Sequence, residues 1–293
     1  MEVWEAVVLG LVQGLTEFLP VSSSGHLQIF NTLFGLQGEE NLTFAVAVHA
    51  ATVCSTIVVF RNELARLIAG FFRFQWNDET IYICKIMLSM VPVAIVGFFF
   101  KDYVEELFAS GLLVVGISLL ITAALLSFAY YARPRQKAEI SFKDAFVIGL
   151  AQAFAAILPG LSRSGSTIST GLMLGDRKEE VARFSFLMVL IPILGEAFLD
   201  AMKGGFHPSE SGISAVALLA AGCTADEDTD APYLYFGEEI ESLSYTVNGG
   251  SLTVEMYSNM GPWVIEIVKR GKLIYFAVYC LLVGAASIVY SLV

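Results

Sequence analysis

GLVQGLTEFLPVSSSG at residues 10–25 and GLAQAFAAILPGLSRSG at residues 149–165 are two copies of one phrase, and their reading decides the fold. Gln13 aligns with Gln152 and Pro20 with Pro159 at an offset of 139; Ser24-Gly25 then aligns with Ser164-Gly165 at 140, which persists to Phe44 and Phe184. Each copy is an apolar segment stopped at a proline, a serine and glycine turn, and a second apolar segment. In a membrane chain this describes a helix broken around a polar site.

Composition places the chain in a membrane. Hydrophobic residues make up 56% and charged residues 15% of its 293 residues, and mean hydropathy is +0.69, outside the range of soluble domains. Stretches at 43–60, 81–100, 107–131, 184–203 and 273–293 approach the ~20 apolar residues a bilayer crossing needs. The segment 3–19 carries Glu5, Gln13 and Glu17 and no basic leader, so it reads as part of the fold. Cys54, Cys84, Cys223 and Cys280 show no ligand spacing and read as inert buried thiols. No nucleic-acid partner is expected.

Basic residues set the orientation. Arg61, Arg66 and Arg73 lie between 61 and 80, and Arg133, Arg135, Lys137 and Lys143 between 132 and 143, whereas 101–106 holds only Lys101 against Asp102, Glu105 and Glu106. The first two loops are therefore cytoplasmic and the third external. Three crossings then separate the copies, and an odd number inverts the second. The expected fold is an all-α polytopic membrane protein with an inverted-topology repeat (about 3–75 and 144–225) and two re-entrant helix hairpins. Their incoming arms are 3–19 and 144–158, their outgoing arms 27–37 and 166–175, and their tips meet near the midplane, where only protein-buried loops are tolerated. Pro20 and Pro159 stop the incoming helices, and Ser24 or Ser164 to Ser166 cap the outgoing ones. Free N–H groups at those starts form an anion site.

Charged side chains narrow the anion. An unpaired Arg163 at membrane depth costs at least about 2.5–3.5 kcal/mol. Among hydroxyls and free N–H groups its natural partner is phosphate, which the guanidinium grips bidentately; the other reading pairs it with Glu17. Two helix N-termini at about half a charge each plus Arg163 give about +2, nearly enough for a pyrophosphate. Glu17 beside phosphate then points to a base or to a cation bridge, and Gln13, four residues earlier, shares its helix face. His26, directly after Ser22-Ser23-Ser24-Gly25, reads as functional, with a hydrogen-bonded structural role as the other option. Ser or His as nucleophile, Glu as base and Arg with N–H groups suffice for phosphoryl transfer. His49 reads as a packing residue, and His207 carries no signal.

QGLTEFLPVSSSGH at 13–26 and PGLSRSGST at 159–167 closely resemble the motifs of the bacterial undecaprenyl pyrophosphate phosphatases of the bacitracin-resistance type. The resemblance covers about 1–223 and 263–293. It implies a multi-pass inner-membrane enzyme that removes one phosphate from the C55 lipid pyrophosphate of cell-wall assembly, confers bacitracin resistance and opens its cavity to the external face. It implies a divalent cation, Mg or Ca, at Glu17, and an acidic pair whose second position is here Gln13, where many members have Glu; Gln13 would face the substrate. Ser23 and His26 would be nucleophile and acid/base partner in either order. Ser162, Arg163 and Thr167 would hold the pyrophosphate, with Ser22, Ser24, Gly160, Ser164 and Ser166 completing the cradle. A homodimer is left open. The rival reading is a lipid-phosphate or anion transporter on the same repeat; a third is an inactive scaffold.

Residues 226–261 stand apart from the membrane core 1–225 and the C-terminal segment 262–293. They hold Asp226, Glu227, Asp228, Asp230, Glu238, Glu239, Glu241 and Glu255 with no Lys or Arg, eight of the negative charges behind the chain's net −11. Alternating Leu243, Tyr245, Val247 and Leu252, Val254, Met256 around Asn248-Gly249 read as a β-hairpin. The segment is expected to be a soluble insert foreign to the resemblance, displayed to an unknown partner, and it puts the helices of 204–272 in doubt.

Overall fold

The structure, a computed structural model, describes residues 3–17, 19–36, 48, 57, 60–100, 103–104, 106–107, 111–132, 139–202, 244–247, 250–253 and 273–292. In chain order these form α1 (Val3–Glu17), α2 (Ser23–Leu33), α3 (Arg61–Phe71), α4 (Asp78–Phe99), α5 (Leu112–Tyr131), α6 (Phe142–Ile157), α7 (Arg163–Leu174), α8 (Lys178–Met202), strands β1 (Ser244–Val247) and β2 (Gly250–Thr253), and α9 (Leu273–Leu292).

Local chemistry sets the boundaries. Asn77 caps α4 by accepting from the Thr80 N–H at 2.8 Å. Ser141 and Asp144 form a reciprocal capping box on α6, and Gly175 ends α7 in the left-handed region at φ 89°. α4, α5 and α9 are long and apolar enough to cross a membrane, with mean hydropathies of 2.1, 2.5 and 2.1. They match the stretches expected at 81–100, 107–131 and 273–293. Residues 184–202 of the stretch expected at 184–203 fall in α8. Most of 43–60 lies outside the described residues. Phe98, Phe99, Phe128, Leu282 and Val289 project outward from the three long helices, an apolar exterior suited to lipid.

Two apolar clusters organise the interior. One joins α3, α4, α6 and α8 through Leu67, Ile86, Met90, Ile148, Phe184 and Met188. The other joins α5, α7 and α9 through Leu119, Leu126, Ile168, Leu172, Ala277 and Cys280. Leu19, in the break after α1, packs against both. Small residues set the closest approaches, as membrane packing favours. A Cβ on Gly149 would lie 2.4 Å from the Ser89 carbonyl oxygen, and Cβ atoms on Gly116 and Gly284 would each lie 2.8 Å from the other's carbonyl oxygen. α9 buries Leu273, Ala277, Cys280, Gly284 and Ser287, spaced alternately four and three apart, against α5. β1 and β2 pair antiparallel with Val247 opposite Gly250. Most of 226–261, like nearly all of 204–272, lies outside the described residues.

Candidate active site

The chain breaks twice, between Glu17 and Ser23 and between Ile157 and Arg163, and both outgoing helices begin alike. Ser22 caps α2, its Oγ accepting from the Gly25 N–H at 3.1 Å; Ser162 caps α7, its Oγ accepting from the Gly165 N–H at 3.0 Å. The hydroxyl of the serine two residues on, Ser24 or Ser164, lies 3.4 Å from the cap hydroxyl in each copy. Sequence reasoning set the outgoing helices at 27 and 166 and the caps at Ser24 or Ser164 to Ser166. The observed starts at Ser23 and Arg163 move the cap earlier, to the serine three residues before each glycine. That is the spacing at which a cap hydroxyl meets the N3 N–H. Each cap satisfies one orphan donor, leaving the N–H groups of the first turn aimed off the helix end.

The two breaks touch. The Ser164 hydroxyl donates to the Leu19 carbonyl at 3.2 Å. A Cβ on Gly25 would lie 3.0 Å from the Gly160 Cα, and one on Gly165 3.3 Å from the Pro20 carbonyl oxygen. Gly160, at φ 84°, also faces the Val115 backbone, where a Cβ would stand 2.9 Å from the Val115 Cα. The second break is anchored to α5 as well, for the Ser162 N–H donates to the Thr122 hydroxyl at 3.1 Å.

Around the first break the acid, amide and hydroxyl are linked. The Ser23 hydroxyl donates to the Glu17 carboxylate in a short hydrogen bond. Gln13 Nε2 donates to the same carboxylate oxygen at 2.9 Å, which leaves Gln13 Oε1 buried without a protein partner. His26 is engaged at both ring nitrogens: Nδ1 lies 2.7 Å from the Ser22 carbonyl oxygen and Nε2 2.7 Å from the Tyr279 hydroxyl on α9. Ser22 itself sits at φ 72°, ψ 94°, a conformation non-glycine residues rarely adopt.

At the second break Arg163 is the first residue of α7. Its Nη1 is buried without a hydrogen-bond partner. Ser166, one turn along, also has a buried hydroxyl with no partner. Thr167 is turned inward, donating to the Arg163 carbonyl at 2.9 Å and sharing a hydrogen bond with Ser185. Sequence reasoning missed Tyr279, Thr122 and Ser185, hydroxyls set among the apolar residues of α9, α5 and α8 with no motif around them.

The donors fit a hard cation. Glu17 supplies carboxylate oxygen and Gln13 Oε1 an unsatisfied buried carbonyl, the oxygen ligands Mg²⁺ and Ca²⁺ take. Among the described residues no three His, Cys, Asp or Glu side chains gather. An ion here would therefore draw further ligands from phosphate oxygens, the usual arrangement for Mg²⁺.

The family model of bacitracin resistance protein BacA matches residues 6–226. The chain is 54% identical to an undecaprenyl-diphosphatase of Bacteroides thetaiotaomicron, with 98% of each chain covered. It is 51% identical to an undecaprenyl-diphosphatase of Parabacteroides distasonis, covering 100% of this chain and 99% of that one. It is also 32% identical to undecaprenyl-diphosphatase 1 of Bacillus cereus, over 97% and 96%.

Proposed function

We infer the reaction from one premise: the chain belongs to the bacitracin resistance protein BacA family. It is a membrane phosphatase that hydrolyses undecaprenyl diphosphate to the monophosphate and phosphate, and so belongs to the lipid-carrier chemistry of the cell wall.

Within that activity, Ser23 is our nucleophile and Glu17 its base. The hydrogen bond from the Ser23 hydroxyl to the Glu17 carboxylate carries this reading. The engagement of both His26 nitrogens elsewhere favours Ser23 over His26 for attack. Ser23 Oγ bonds to the terminal phosphorus as the bridging P–O bond breaks. Its proton goes to Glu17, and the lipid monophosphate leaves as its anion. Once Glu17 has released that proton, it takes one from water as the water oxygen bonds to phosphorus, and returns it to Ser23 Oγ as the P–Oγ bond breaks. Arg163, with its unpartnered Nη1, and the first-turn N–H groups of α2 and α7 hold the phosphate charge. Glu17 and Gln13 would hold Mg²⁺ or Ca²⁺, which when bound would supply charge neutralisation at the phosphate oxygens.

We further read α1–α2 and α6–α7 as re-entrant hairpins of an inverted repeat. Supporting this are the 139–140 residue offset, the twin serine caps and the contact between the breaks. The basic loops favour an inner-membrane setting with the cavity open to the external face.

The nucleophile is tested by quenching turnover of substrate labelled in its terminal phosphate. Label should appear on the chain at Ser23 and be absent from Ser23→Ala. Turnover retained in Ser23→Ala would overturn the assignment.

A further inference from the structure

We propose that Tyr279 is a positioning residue for the phosphatase reaction, acting through His26 on the Ser22–Ser23 peptide. A carbonyl oxygen only accepts, so the 2.7 Å contact to the Ser22 carbonyl requires a proton on His26 Nδ1. In the neutral ring Nε2 is then an acceptor, and its neighbour at 2.7 Å, the Tyr279 hydroxyl, is the donor. The rings are nearly parallel, 5° apart with centroids 5.6 Å distant. The chain Tyr279 O–H to Nε2, then Nδ1–H to the Ser22 carbonyl, fixes the ring and its tautomer.

The held peptide matters because it leads into the nucleophile. In a trans peptide the carbonyl and the following N–H point in opposite directions. With the Ser22 carbonyl drawn to His26, the Ser23 N–H is turned the other way, off the start of α2, where it is one of the orphan donors. The same peptide follows Ser22, whose φ of 72° has to be held by its surroundings. The hydroxyl has its own reason to be satisfied: α9 is apolar, and a hydroxyl facing hydrocarbon without a partner is costly. α9 is seated firmly enough to serve as an anchor by the close Gly116–Gly284 approach and the buried Cys280 next to Tyr279.

The inference rests on the phosphatase reading, and the experiment separates the two. Purified wild type and Tyr279→Phe are compared in detergent for phosphate release from a polyprenyl diphosphate and by ¹⁵N spectra of histidine-labelled protein, with the His26 signal assigned through His26→Gln. The phenylalanine keeps the ring and its packing. We expect kcat to fall about tenfold with KM within about twofold, the loss of one buried hydrogen bond, and the Nε2 resonance to move off its hydrogen-bonded position while Nδ1 stays protonated. A kcat equal to wild type overturns the proposal. So does a His26 spectrum unaltered by the substitution, or a loss confined to KM. If wild type releases no phosphate, the phosphatase reading fails, and the ¹⁵N comparison still decides whether Tyr279 sets His26.

Discussion

The two breaks share one scaffold and carry different chemistry. In both, a serine three residues before a glycine caps the outgoing helix and a second serine sits 3.4 Å from the cap hydroxyl. The residue between those serines is Ser23 in one copy and Arg163 in the other, and the residue after the glycine is His26 in one and Ser166 in the other. The first break also lies beside Glu17 and Gln13, whose counterparts in the second repeat are Ala156 and Gln152. In the proposed reaction both helix starts bind anion, and differences at single positions make the first break the reacting one and leave the second to hold charge. The second copy also has one more residue between proline and cap, Pro159 to Ser162 against Pro20 to Ser22. There Gly160 takes the positive φ, whereas in the first copy Ser22 takes it, next to the proposed nucleophile Ser23.

The sharpest way to break this comparison is to remove chemistry from the first break alone. Glu17→Gln preserves the shape of the side chain and removes its basicity, so kcat should fall about 10²–10⁴-fold. Ser23→Ala should fall at least as far. Phosphate release in detergent measures both, and a loss under tenfold in either would mean that the first break is not the reactive one. In the second break, Arg163→Lys keeps the charge but loses the planar fork, and turnover should drop about a hundredfold, as for loss of one transition-state donor. A drop in Arg163→Lys larger than that in Glu17→Gln would reverse the proposed division between reacting and holding breaks.

Next in size comes a stability effect peculiar to the second break. Gly160→Ala places a Cβ 2.9 Å from the Val115 Cα at φ 84°, and should cost about 2 kcal/mol or more from the left-handed backbone and the overpacking together. Thermal unfolding in detergent should show the loss. An unchanged midpoint would mean that the breaks do not press against α5 as closely as the structure has them.

Much of this was legible because it depends on local chemistry. Proline ended α1 and α6 within a few residues, the long apolar runs became α4, α5 and α9, and the repeat announced itself by spacing. The choice of cap among Ser22, Ser23 and Ser24 was not legible, since three adjacent hydroxyls have nearly equal cap propensity and only the backbone decides which meets the N3 N–H. Nor was the immediate setting of Glu17: its place in the sequence suggests a base or a cation ligand, and only the fold brings the Ser23 hydroxyl and the Gln13 amide onto its carboxylate. Tyr279 was beyond reach for a different reason: it meets His26 from 253 residues away, and a tyrosine in an apolar helix reads as a lipid-facing ring.

The smallest effect tests the strain itself, by making the same change in both caps. Glycine is almost as good a cap as serine, costing a few tenths of a kcal/mol. At Ser162, with φ −65°, Ser162→Gly relieves nothing and should leave the protein slightly less stable. At Ser22, with φ 72°, Ser22→Gly also removes the penalty of a β-carbon in that region, about 1–2 kcal/mol. The net change should be a gain near 1 kcal/mol, seen as a higher midpoint of unfolding. Activity should move the other way in Ser22→Gly alone, because a glycine peptide is held less narrowly and the Ser23 N–H and hydroxyl lose part of their fixed aim. Equal midpoints for the two variants would show that Ser22 is unstrained, and the breaks would then differ in their side chains and not in their backbone.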